Sequence, residues 1–192
     1  RNPCKAWGTP ILTVEKKKHM RARLRAIRAE LALSIRVGYG RRVADLLEEW
    51  DAFERAGTIG LYRAINGEVD PQFIANKAEC KGIRVCYPKV TRDSPLEFFT
   101  ATQWNKGVFG YEPVGDPVRR DQIDLLLVPG IAFSDTGDRL GFGGGHYDRT
   151  LRAYSGISVG LAYPFQMHET LNTDAWDVPL DHILVDRAYP MR

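Results

Sequence analysis

Cysteine is scarce. The 192 residues hold three, Cys4, Cys80 and Cys86, with no CxxC pair, so neither a disulfide framework nor a thiolate metal site is expected. No apolar run approaches the length that crosses a bilayer and no signal-peptide core is visible, so a cytoplasmic protein with reduced thiols is expected, without a membrane partner. A net charge of +3 is too mild to imply nucleic acid, and the aromatic-stacking signature of RNA-binding sheets is missing. No Ser-His-Asp or zinc spacing occurs, and His168 and His182 read as ordinary, partly buried histidines. The common glycine motifs fail as well. No Lys-Ser or Lys-Thr follows the glycines as a P-loop requires, and GxGxxG counted from Gly141 puts His146 where the third glycine belongs.

What is present centres on residues 124–149, DLLLVPGIAFSDTGDRLGFGGGHYDR. Leu125 to Val128, closed by Pro129-Gly130, reads as a strand buried on both faces. A short segment over 131–133 and a polar turn over 134–138 lead to RLGFGGGHYDR, with four glycines in the five positions 141–145. So much bare backbone is entropically costly and implies a demand for main chain without side chains. One reading is a nest of N–H groups for a polyphosphate, with Arg139 and Arg149 supplying positive charge and Asp148 a hard oxygen for Mg²⁺. The other is a flexible connection.

The spacing predicts a helix over 14–37 with Met20, Leu24, Ile27 and Leu31 as its buried stripe. A second, cationic stripe is formed by Lys17, Arg21, Arg25 and Arg28. Like charges at this spacing repel, so the stripe is either a solvated face or a surface for phosphate, nucleotide or nucleic acid. Gly38 to Gly40 read as a helix break, followed by a helix over 41–56 with Val43, Leu46, Leu47, Trp50 and Phe53 inward. Strands are expected over 58–62, 83–88, 97–102, 125–128, 157–162 and 182–185, with helices over 71–80 (Pro71 first) and 147–154. This alternation predicts an α/β fold: a three-layer sandwich whose mostly parallel central sheet carries helices on both faces. Ligands then belong beyond the carboxyl ends of the strands, where residues 63–68, 141–148 and 165–166 fall. A single domain over 13–192 is expected. Residues 1–12 read as a disordered or artificial lead with no role.

The pattern VPGIAF…GDRLGFGGGHYDR closely resembles the signature of the 5-formyltetrahydrofolate cyclo-ligase family, over roughly residues 13–186, with His146 where the family has the first of two tyrosines. The resemblance implies ATP-dependent cyclisation of 5-formyltetrahydrofolate to 5,10-methenyltetrahydrofolate through a phosphorylated formyl oxygen. It places Lys17 and Arg21 against ATP, with Lys18 as the adjacent alternative. It adds Arg139, Leu140, Gly141, Phe142, Gly143, Gly144, Gly145, His146 and Tyr147 to the ATP site, and gives Arg139 and Lys17 the catalytic charges. The folate is assigned Glu68, Arg63 and the stretch Phe142, Gly143, Gly144, Gly145 and His146. Mg²⁺ is assigned Asp148 and Asp177, whereas Asp174 and Asp186 read as solvated. From the residues alone, Glu68 and Asp70 equally serve to load a helix N-terminus with negative charge. A monomer is expected. The rival readings are a sugar-phosphate isomerase or transferase using the same loop without ATP, a nucleic-acid-binding module on the basic helix, and a paralogue with a different formylated or carboxylated substrate.

Overall fold

The computed structural model describes residues 10–92, 94–107 and 110–191, with side chains from Val14 onward. The expected lead over 1–12 therefore lies outside the described residues except for Pro10 to Leu12, which are helical. In chain order the elements are α1 (Pro10–Glu30), α2 (Leu33–Glu48), α3 (Asp51–Glu54), β1 (Thr58–Gly60), α4 (Gln72–Cys80), β2 (Arg84–Lys89) and β3 (Glu97–Phe99). Then come β4 (Gln103–Gly107), β5 (Gly110–Val114), β6 (Pro117–Val118), β7 (Leu125–Val128), β8 (Ala132–Ser134), β9 (Arg139–Leu140), α5 (His146–Leu151), β10 (Ile157–Leu161), β11 (Met167–His168) and β12 (His182–Leu184).

The main sheet has the order β12-β10-β7-β1-β2-β3-β6. Strands β12, β10, β7, β1 and β2 run parallel, and β3 and β6 add an antiparallel edge. Strand β7 shows why its apolar run has no polar residue. Leu125 and Leu127 enter a core built with Tyr39, Val43 and Leu47 of α2 and Ile74 and Ala75 of α4. Leu126 and Val128 point the other way, into a core with Phe98, Phe133 and Leu151 of α5. Helices therefore cover both faces, as the alternation predicted. The chain order reverses between β1 and β7, which opens a crevice at their carboxyl ends.

The first two helices depart from expectation. The break falls at Leu31-Ala32, and α2 runs through Gly38 and Gly40. These glycines make room instead of ending the helix. A Cβ on Gly38 would stand 2.3 Å from the Tyr189 hydroxyl, and one on Gly40 would stand 3.1 Å from the Asp70 carbonyl. Pro71 caps α4 and is not its first residue. The hairpin β4–β5 and the small strands β6, β9 and β11 carry no apolar periodicity and were not anticipated.

Gly160 on β10 shows how tightly the sheet is covered. A Cβ there would lie 2.6 Å from the Phe133 ring and 2.9 Å from both Ile183 and Leu180. Gly160→Ala is expected to lower stability by about 1–3 kcal/mol through overpacking. Urea unfolding measures it, and an unchanged midpoint would mean that Phe133 moves aside freely.

Candidate functional site

Helix α1 lies over the carboxyl ends of the strands. Leu24 is buried with Ile131, Ala132 and Leu140, and Met20 and Ile27 pack beside it, as the apolar stripe predicted. The cationic stripe is thereby brought onto four loops. Arg21 Nε donates to the Gly141 carbonyl at 2.8 Å. Arg28 donates from Nε to the Asn66 carbonyl at 2.8 Å and from Nη1 to the Gly130 carbonyl at 3.3 Å. Lys17 Nζ lies 2.6 Å from Asp174 and 3.6 Å from Asp177. Asp174 is thus an ion-pair partner, as Asp186 is to Arg42 at 2.8 Å, and not merely a solvated carboxylate. Burial first and Arg25 second lower the Arg21 pKa, while Asp177 and Asp174 oppose them. Lys18 is exposed.

The glycine loop follows β9. Gly143 and Gly145 adopt φ of +103° and +64°, and Gly145 caps α5. Arg149 fastens the loop from behind, donating to the Gly144 carbonyl at 2.8 Å and the Ser94 carbonyl at 3.3 Å. Its Nη2 also lies 3.0 Å from His146 Nδ1. Phe142, Gly143 and Gly144 are exposed. Arg139 sits underneath, its side chain only 5% exposed, with Nη2 3.1 Å from Asp148 Oδ1 and Nη1 3.4 Å from the Pro129 carbonyl. Its guanidinium lies 5.6 Å from the Tyr147 ring centroid.

Four buried side-chain atoms that have no hydrogen-bond partner among the described residues belong to this region: Arg28 Nη2, Glu68 Oε1, Arg139 Nε and the Tyr147 hydroxyl. A buried polar atom left unpaired is costly, so their gathering marks a place for a polar ligand. They also sense one another. Burial raises the Tyr147 pKa, with Glu68 adding to the rise and Arg139 opposing it. Burial pushes the Glu68 carboxyl up to about 7, against the Ile65 N–H and Arg28.

Arg63 reaches the β4–β5 hairpin. Its guanidinium lies 4.8 Å from the Trp104 ring centroid and 4.4 Å from that of Tyr111. The register of β4 and β5 makes these two rings diagonal neighbours on one face of the hairpin, and Tyr87 packs edge-on to Trp104. Sequence reasoning missed this aromatic wall because the hairpin itself was missed. It also placed Arg28 on a solvent or phosphate face. The available signal was spacing: Arg28 follows Leu24 by four residues and so continues the apolar stripe.

Among the described residues no three His, Cys, Asp or Glu side chains cluster to hold a metal. Asp148 and Asp177 are each partly exposed beside a cation. They suit a hard ion that brings phosphate and water as its remaining ligands better than they suit an all-protein cage. No helix of the described residues is long and apolar enough to cross a membrane.

The family model described as the 5-formyltetrahydrofolate cyclo-ligase family matches residues 13–186. The chain is 32% identical over 190 residues to the 5-formyltetrahydrofolate cyclo-ligase of Haemophilus influenzae, covering 91% of this chain and all of that protein. It is 31% identical over 157 residues to that of Escherichia coli K12, covering 76% and 86% of the two chains. Its fold matches the 5,10-methenyltetrahydrofolate synthetase of Aquifex aeolicus with a TM-score of 0.78 at 34% identity, covering 88% and 89% of the chains. The Mycoplasma pneumoniae synthetase matches with a TM-score of 0.74 at 29% identity, covering 88% and 97%.

Proposed function

The chain belongs to the 5-formyltetrahydrofolate cyclo-ligase family, and we propose that it closes 5-formyltetrahydrofolate to 5,10-methenyltetrahydrofolate at the expense of ATP. The observation that carries this reading is the convergence of unpartnered buried polar atoms beside a glycine loop and a cationic helix at the β1–β7 crevice.

The formyl oxygen is a poor leaving group. Its attack on the γ-phosphorus releases ADP and leaves an imino-phosphate. N10 then adds to the formyl carbon and loses its proton, and the C–O bond breaks to expel phosphate. The protein contributes position and charge to such a transfer and needs no covalent nucleophile. Lys17 and Arg21 would face the triphosphate, Lys17 exchanging its aspartates for phosphate oxygens. The amides of the loop from Gly141 to Gly145 would hold those oxygens, and Arg149 keeps that loop in shape through Gly144. Arg139 would serve from beneath, fixing Asp148 and adding positive charge. Asp148 and Asp177 would hold Mg²⁺, which when bound screens the phosphate charge. Glu68 would anchor the pterin, and Trp104 and Tyr111 offer apolar faces close to Arg63 for the rest of the folate.

Purified protein with 5-formyltetrahydrofolate and Mg²⁺ is expected to develop the methenyl chromophore only when ATP is added. Absence of the chromophore with ATP, or its formation without nucleotide, would overturn the reading.

A further inference from the structure

Arg28 is left unexplained by the nucleotide chemistry. Its residue is 1% exposed, yet among the described residues it has no ion pair within bonding distance, only the carbonyls of Asn66 and Gly130. A guanidinium stripped of water is expensive to hold, and two carbonyls satisfy only part of its fork. Glu68, 5% exposed, is the strongest opposite charge acting on it. That carboxylate is also half-satisfied: Oε2 accepts the Ile65 N–H at 3.0 Å, and Oε1 has no partner among the described residues. The loop between them packs closely against α1. Gly67, at φ +74°, lies so close to α1 that a Cβ would stand 3.0 Å from the Arg28 carbonyl and 3.3 Å from its Cγ. The Tyr163 hydroxyl donates to the Glu68 carbonyl at 3.4 Å, and the Phe142 ring lies 6.0 Å from the Arg28 guanidinium. One open donor and one open acceptor are thus held by a fixed backbone beside an exposed ring.

We propose that Arg28 and Glu68 together read the cyclic-amide edge of a nitrogen heterocycle, Arg28 Nη2 donating to the ring carbonyl and Glu68 Oε1 accepting from the adjacent ring N–H. The inference rests on the folate reading above, because the pterin ring carries such an edge, and it makes Arg28 a specificity residue for the folate and not for ATP. A purely structural Arg28, clamping α1 to the loops, would not discriminate between ring substituents.

The test is direct binding, without ATP, of 5-formyltetrahydrofolate and of its analogue bearing an amino group in place of the ring carbonyl. The wild-type protein is expected to prefer the carbonyl ligand. Arg28→Lys keeps the stem and the charge but loses the fork. It should weaken the carbonyl ligand by about 10- to 100-fold, narrow the preference by a similar factor, and leave the KM for ATP unchanged. Equal binding of the two ligands by the wild type overturns the inference without any variant being needed. So does a folded Arg28→Lys protein that keeps the full preference. Failure of the wild type to form methenyl product is a separate result and bears on the underlying activity, because ligand preference is read without turnover.

Discussion

Arg139→Met is expected to lower ATP-dependent turnover by roughly 10²- to 10³-fold, the scale of losing one preorganised charge from a phosphoryl-transfer site. The side chain fills no surface role. It is almost wholly enclosed, and its fork ties Asp148 to the Pro129 carbonyl just past the end of β7. Removal therefore also leaves a partly buried carboxylate without its cation, at a cost of roughly 3 kcal/mol in stability. Arg139→Lys separates the two effects. It retains a positive charge near Asp148 but cannot span both acceptors, so it should melt close to wild type while losing most of kcat. Stopped-flow formation of the methenyl product, read beside thermal unfolding, measures both. Near-normal kcat in a folded Arg139→Lys protein would remove Arg139 from the catalytic machinery.

The second large effect is expected at Glu68. Burial lifts its carboxyl from an ordinary 4.5 to about 7, so the native protein keeps this proton where the unfolded chain has lost it. The associated stability is fully present below the ordinary value and is lost as pH rises through about 7. Glu68→Gln removes that dependence and should make the protein roughly 3 kcal/mol more stable than wild type near pH 8. Folate affinity moves in the opposite sense. The amide can present a donor where the ring N–H needs an acceptor, so binding should weaken by about 10- to 100-fold at the same pH. Wild-type folate affinity should also rise with pH through neutrality as the carboxylate forms. The groups acting on this titration are Arg28 and the Ile65 N–H. Urea unfolding and folate binding across pH 5 to 9, roughly the span of this titration, check the pair of trends. A variant that is less stable than wild type at alkaline pH would refute the account of Glu68 as a buried, under-satisfied acid.

These two residues show unequal legibility. Arg139 stands beside a contiguous glycine-rich stretch that its composition alone singles out, and its flanking position is readable without coordinates. Glu68 has only a turn and a helix start around it, and both explain a carboxylate without any ligand. Arg63 stands at a strand end that the sequence shows, whereas its immediate company, the Trp104–Tyr111 pair, belongs to a hairpin that no apolar alternation reveals. The glycines of α2 were misjudged for a related reason. Local preference makes glycine a helix breaker, whereas Tyr189 and the Asp70 carbonyl, both distant in sequence, are what require it there.

By itself the chain determined the parts that depend on neighbouring residues. The β7 run of four apolar residues reads as a strand buried on both faces and is one, and the four glycines between Arg139 and Asp148 stand out as main chain kept free of side chains. Only the tertiary structure decided where α1 crosses the sheet. That crossing brings Arg28 to a carbonyl 38 positions away and Lys17 to an aspartate 157 positions away. It also turns one member of a cationic stripe inward while its neighbours face the loop. Periodicity reports which face of a helix is apolar, but the angle at which the helix lies over the strand ends follows from side-chain packing between distant segments.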